Sequence, residues 1–265
     1  MYEVMGAIVS VGVPIVYKGA MITKLILQEN HFDDFTRETR DIDLNWVDAK
    51  PPSMERLKET LNRALAGFGL TAVIKREYGE NQAGGFRIFD ANGHKKLMID
   101  VNMGPVVDSR IYQFGNVTFR GVTPNSVISD KINAVSSDKI CRRAKDLVDL
   151  YALAHCAIIK RSELCEIWKK ENLSIGTFEV FTKRREDVEH AFEKLNRIDA
   201  KPSFEEAYGY LTAFLAPFME PTLKGEVWDS KKRAWALDES PNNNREEKKP
   251  LLDAPEAGQN RPKFF

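Results

Sequence analysis

The sequence predicts an α/β (α+β) architecture, a mixed β-sheet carrying helices, followed by an all-α C-terminal region. Three observations predict it. Between residues 13 and 122, short apolar or alternating runs of strand length are interleaved with stripes at helical spacing. After Thr123-Pro124 the strand-like runs stop, and apolar residues recur at helical spacing. From Ser240 to Phe265 the chain is rich in Pro, Asn, Glu and Lys and nearly free of core formers, the composition of a disordered tail. The expected division is therefore 1–122, 123–239 and 240–265.

Each element has its own signal. Residues 1–12 form a short helix or buried segment. Val13 to Tyr17 is a compact apolar run that fits a buried strand. It ends at Lys18-Gly19-Ala20, after which Met21, Ile22, Leu25 and Ile26 recur at helical spacing. Arg40 to Trp46 reads as a second strand, closed by Pro51 and Pro52. Met54, Leu57, Leu61, Leu65 and Phe68 make a helical stripe, ended by Gly67 and Gly69. Thr71 to Tyr78 alternates weakly. Gly84-Gly85 reads as a turn, and Phe86 to Phe89 as a strand. Asn92-Gly93 signals a hairpin into the strand Lys96 to Val101. Val117 to Arg120 adds one more. Helices follow on the stripes Val127, Ile128, Ile132, Val135 and Leu147, Leu150, Tyr151, Ala154. More are expected near 162–171, 184–197 and 203–219, the last opened by a Ser203/Glu206 capping box.

Bulk composition limits the function. With 265 residues, 43% of them hydrophobic, the chain suits one elaborated domain or two small ones. The 39 basic and 39 acidic side chains cancel, so any nucleic-acid contact rests on a local patch and not on global charge. Cys141, Cys156 and Cys165 lack metal-type spacing and read as free thiols in a reducing cytosol. His31, His94, His155 and His190 form no ligand pattern. No apolar run approaches the roughly 20 residues of a membrane span, and the apolar start lacks a basic leader. The expectation is a cytoplasmic protein without membrane contact.

Four places hold the chemistry. Asp41 and Asp43 lie two apart with Ile42 and Leu44 on the other parity, so a strand points both carboxylates to one face. Alone they fit a solvated strand face. Together they also suit magnesium, which takes one or two carboxylates plus substrate phosphates. Lys18-Gly19-Ala20 fits a plain tight turn, or a turn that brings backbone amides and a helix N-terminus to a phosphate. Asp100 sits in the apolar run Leu97 to Val101, where an acid needs a partner. It is either an exposed strand end paired with a lysine such as Lys96, or a third carboxylate of a two-metal site. The segment Asp130 to Leu150 interleaves Lys131, Lys139, Arg142, Arg143 and Lys145 with Asp130, Asp138, Asp146 and Asp149. Lys145/Asp149 and Asp146/Asp149 each share a helix face. That describes a salt-bridged helix, or a cationic wall for a triphosphate held in place by Asp146 and Asp149.

With these residues in view, the chain resembles the AbiEii/AbiGii toxin family of nucleotidyltransferases. These are the toxins of abortive-infection, type IV toxin–antitoxin systems, within the DNA polymerase β-like superfamily. Lys18-Gly19 ends the first strand. Arg37-Glu38-Thr39-Arg40-Asp41-Ile42-Asp43-Leu44 matches the family's most specific pattern. Asp100 closes an apolar strand. Lys131-Ile132-Asn133-Ala134, then Arg142 or Arg143, then Lys145-Asp146-Leu147-Val148-Asp149-Leu150 resemble a fourth block of the family. These features span about residues 13–155.

The resemblance implies a nucleotidyltransferase fold in the N-terminal half. It implies magnesium, or manganese in its place, on Asp41 and Asp43, beside which Asp100 is the expected third ligand or base. Catalytic roles fall to the same three acids with Lys131, Lys145 and Asp146. Nucleotide binding falls to Lys18, Gly19, Ala20, Arg37, Thr39, Arg142, Arg143 and Asp149. The implied donor is GTP or a pyrimidine nucleoside triphosphate, and the implied acceptor RNA, tRNA included. A cognate antitoxin, often a transcriptional regulator, is the implied partner. One departure stands out. The family's turn reads Lys-Gly-Gly followed by Ser or Thr, whereas this chain has Ala20 and Met21. Phosphate binding is then left to backbone amides, Lys18 and the helix dipole. A nucleotide-binding regulatory partner without turnover is the alternative. A helical RNA-binding module that merely retains the strand acids is a third.

Overall fold

A seven-stranded sheet carries the first half of the chain. The computed structural model describes residues 1–32, 37–48, 51–78, 83–104, 106 and 108–238. The expected tail from Ser240 lies outside them. Helix α1 (Tyr2–Ser10) leads to β1 (Ile15–Lys18), and Gly19 turns the chain into α2 (Ala20–Glu29). Then come β2 (Asp41–Trp46), α3 (Met54–Leu65), β3 (Leu70–Arg76), β4 (Ala83–Asp90), β5 (Lys95–Asn102), β6 (Ser109–Phe114) and β7 (Val117–Val122).

The sheet order is β3-β4-β5-β2-β1-β7-β6. β2 runs parallel to β5, and β1 parallel to β7; the other neighbours are antiparallel. The sheet is mixed, as expected. Strand alternation sends Ile42, Leu44, Phe86, Ile88, Ile99 and Val101 into the core. Helix α3, capped by Ser53, packs Leu57, Leu61 and Leu65 there. Its Asn62 side chain accepts the Ala72 N–H at 2.7 Å and ties the helix to β3. Helix α1 is anchored over β1 by the Tyr17 hydroxyl, which donates to Met5 O at 2.8 Å.

Thr123 caps α4 (Pro124–Ser136), where the chain turns helical as expected. There follow α5 (Lys145–Cys156), β8 (Ile159–Lys160), α6 (Arg161–Lys170), α7 (Glu179–Lys183), α8 (Arg185–Glu193), α9 (Phe204–Met219), β9 (Val227–Asp229) and β10 (Ala234–Ala236). Ser203 accepts the Glu206 N–H at 3.2 Å, the start expected for α9. α2 packs on α5 and α4, which sets the helical half against the sheet. The three cysteines are free, half-buried thiols. Among the described residues, no helix is long and apolar enough to cross a membrane.

Several local expectations change. Gly84-Gly85 is not a turn but lies inside β4. A side chain at Gly84 would meet Met54 and Tyr78, and one at Gly85 would meet Asp100. Close packing, not chain reversal, explains the pair. Phe68 leaves the helical stripe, which ends at Leu65; Phe68 is 41% exposed. β6 and the small sheet β10-β9-β8 had no counterpart in the sequence reading. That small sheet is held by side chains: Trp228 Nε1 donates to Ala154 O and Trp235 Nε1 to Phe214 O, at 2.9 and 2.8 Å.

Candidate active site

One row of residues crosses five strands of the sheet. Lys18 on β1 is the register partner of Asp43 on β2. Asp43 partners Asp100 on β5, Asp100 partners Gly85 on β4, and Gly85 partners Arg76 on β3. Asp41, two residues from Asp43, lies on the same face, while Ile42 and Leu44 are buried on the other. So strand parity does place both acids together, and the parallel β2–β5 pairing brings the third beside them.

Two glycines give these acids room. Gly19 has φ of 70°, and a β-carbon there would collide with the Asp43 carboxylate. Glycine is required at this position both by its left-handed backbone and by the close approach. A β-carbon at Gly85 would stand 2.7 Å from Asp100 Oδ1. Burial, first, and then the nearby Asp100 and Asp41 charges push the Asp43 carboxyl above its ordinary range, against the pull of Lys18 and Lys145. Asp100 does not pair with Lys96, which bridges to Asp90 at 2.9 Å. Its partner is Arg76 at 3.4 Å.

Across from the strands stands an ion network. Lys131 on α4, 6% exposed, donates to Asp146 Oδ1 at 2.6 Å and Asp149 Oδ2 at 2.7 Å. The Arg143 Nε donates to Asp146 Oδ2 at 2.6 Å. Arg37 grips Asp149 with both Nε and Nη2 at 3.3 Å. Burial opposes charge on Lys131, but Asp149 and Asp146 outweigh it and raise its pKa. Burial likewise opposes the Asp149 charge, yet Lys131 and Arg37 hold its carboxyl below the ordinary range. Arg37 is fixed from behind by a bridge to Ile198.

Between strands and network lies a cavity of about 470 Å³, within the size range of ligand pockets. Every residue expected in the site lines it except Asp149, which stands behind Lys131 and Arg37. Asp146 reaches the cavity although it is otherwise buried. Arg142, Arg143 and Lys145 are exposed at its rim. The helix α2 begins at its edge with no side-chain cap, leaving amides for an anion. Met21 is 4% exposed and belongs to the core. Asn102, Asp130 and Asn133 also line the cavity; Asp130 and Asn133 stood in the charged segment and its motif without an assigned site role, and Asn102 was not named. Parity held the signal: Asn102 is two residues from Asp100 on a strand, and Asn133 is three from Asp130 on a helix.

Among the described residues, no three His, Cys, Asp or Glu side chains are gathered as a ready metal site. The donor set nonetheless fits magnesium: carboxylate oxygens, glycine clearance beside two of them, and mutual repulsion that a cation would relieve.

The fold is that of a nucleotidyltransferase. The nucleotidyltransferase toxin MenT4 of Mycobacterium tuberculosis superposes with a TM-score of 0.51 at 17% identity, covering 88% of this chain and 85% of that one. An antigenic nucleotidyltransferase-like protein of Paracoccidioides brasiliensis aligns more loosely, at a TM-score of 0.40 and 13% identity, over 76% of this chain and 95% of its own. Curated proteins give no match. The profile described as nucleotidyl transferase AbiEii toxin, type IV TA system, matches residues 26–238. The chain belongs to that family. The matched stretch starts after Lys18-Gly19, so the turn stands on its geometry alone.

Proposed function

We propose that the protein transfers a nucleoside monophosphate from a nucleoside triphosphate to the 3′-hydroxyl of an RNA, with tRNA among the acceptors. The observation that carries this is the row Lys18–Asp43–Asp100, with Asp41 beside it, facing a cationic wall across one cavity. Asp41 and Asp43 would hold magnesium, with Asp100 as third ligand or base. Bound there, the ion would neutralise charge on the reacting phosphate. Lys18 and the first amides of α2 bind the triphosphate. Asp100 takes the hydroxyl proton, and the freed oxygen forms a bond to the α-phosphorus. The bond from that phosphorus to the bridging oxygen breaks, and pyrophosphate leaves with its electron pair. Arg143 and Lys145 neutralise the departing charge. Lys131 has one N–H left after Asp146 and Asp149, and it fixes the wall. GTP or a pyrimidine triphosphate is the donor, and an antitoxin encoded nearby is the partner that the family implies.

Asp43→Ala should abolish transfer of labelled nucleotide to total RNA while the folded spectrum and melting persist. An undiminished signal in that variant would sink the proposal. Ala20 and the core position of Met21 favour one rival, nucleotide binding without turnover. Calorimetry with GTP and magnesium, run beside the transfer assay, separates the two: heat of binding without transfer supports the rival.

A further inference from the structure

On the side of β5, β4 and β3, the described residues that line the cavity are Asp100 and Asn102 of β5. There the face that bears the acids continues, with exposed side chains among the described residues, to the edge of the sheet. The row next to Lys18–Asp43–Asp100 runs Asp41, Met98, Arg87, Val73 in register. Arg87 is exposed and Val73 is 48% exposed. Lys75 reaches over the same face to Met98 Sδ at 3.6 Å, and Arg76 reaches Asp100. Among the described residues, neither Lys75 nor Arg87 has a carboxylate partner. The opposite face of these strands is covered by α3: Gly84 there abuts Met54, and Ala72 bonds Asn62.

We propose that this bare face is the path of the acceptor strand. Lys75, Arg76 and Arg87 would hold its phosphates, and Val73 and Met98 would underlie its bases. The inference rests on the reading that the acceptor is RNA. Two features select a nucleic-acid strand over a protein partner. The face is cationic with apolar side chains between the charges, the pattern that suits a phosphate backbone and base faces. It is also continuous with the reacting acids, so a strand lying along it delivers its 3′ end to Asp100. Strands are about 4.8 Å apart, so β2 to β3 spans about 14 Å. That is room for about four stacked nucleotides at roughly 3.4 Å each. The short reach fits recognition of a single-stranded end and not of a long duplex.

The test is binding of a fluorescein-labelled 12-nucleotide single-stranded RNA by anisotropy, over a series of salt concentrations and without nucleotide. The wild-type protein is compared with Lys75→Gln/Arg87→Gln. Losing two phosphate contacts should flatten the slope of log affinity against log salt by about 1.4, at about 0.7 per contact. Melting and calorimetric GTP binding should stay unchanged. Lys58→Gln/Arg63→Gln on α3, behind the sheet, should keep the wild-type slope. An unchanged slope in the first variant overturns the path, even where wild-type protein still transfers nucleotide to RNA. So does an unchanged RNA affinity accompanied by loss of a co-purified antitoxin, which would make the face a protein interface. A flattened slope in the Lys75→Gln/Arg87→Gln variant, beside a wild-type protein that transfers nothing, would leave the path standing and remove the transferase reading instead.

Discussion

The two walls of the cavity solve opposite electrostatic problems. On the helical wall, Lys131, Asp146, Asp149, Arg37 and Arg143 satisfy one another through hydrogen bonds. On the strand wall, Asp43 has Asp41 and Asp100 as neighbouring charges against the pull of Lys18 and Lys145, and Arg76 reaches Asp100 alone. One wall is paired internally; the other keeps like charges side by side. Burial raises Asp43, whereas pairing lowers Asp149 in a setting at least as buried. The contrast shows that what an acid is bonded to, and not burial as such, decides which way its pKa moves.

The sharpest way to break the contrast is Lys131→Met. It leaves the buried Asp146 and Asp149 with one arginine each and should cost about 3–5 kcal/mol of stability, read as a lower denaturation midpoint in urea. A loss under about 1 kcal/mol would mean that the network is hydrated and not structural. Asp43→Asn should do the reverse in the free protein and raise the melting temperature, because it removes a repelled charge. It should also erase the stabilisation by GTP with magnesium, which reaches about 2.7 kcal/mol at a ligand concentration 100 times Kd. Retention of that thermal shift would show that the acids do not anchor the ligand. Gly19→Ala should weaken both at once. The strained backbone costs about 1–3 kcal/mol, and its methyl group must displace Asp43, so magnesium-dependent nucleotide binding should fall with stability.

The smallest effect expected is on acid stability. Asp149 has a folded pKa below its unfolded value, so its contribution is fully present above about pH 3.9. It is lost as pH falls through the lower folded value. Arg37→Gln removes one of the two cations that depress it, so the variant should begin to unfold at a higher pH than wild type. Circular dichroism melts at pH 5, 4 and 3 would show this, and coincident acid transitions would refute it.

Much of this was legible in the residues. Alternation at Asp41-Ile42-Asp43-Leu44 fixed which side chains face outward, and an acid in Leu97–Val101 marked Asp100. The Lys131 and Lys145-Asp146 block was visible as a pattern, but its burial was not. Only the packing of α4 beside α5 turns a charged surface sequence into an enclosed network. Elements defined by tertiary contact stayed hidden. In β6 only Tyr112 is buried, so an edge strand shows little apolar alternation. β8, β9 and β10 are two or three residues each, too short for any period to register. Gly84-Gly85 misled because glycine serves close approach as readily as it serves turns.

Those close approaches have a genetic meaning. At Gly19 and at Gly85, a single-base change in the codon yields alanine, and the added methyl group invades the space of one carboxylate. The outer surface keeps its shape. On the proposed transfer mechanism, alleles of this kind would remove the chemistry while leaving recognition by a protein partner close to native. They are the natural means of separating, in a living cell, what this chain does from what it binds.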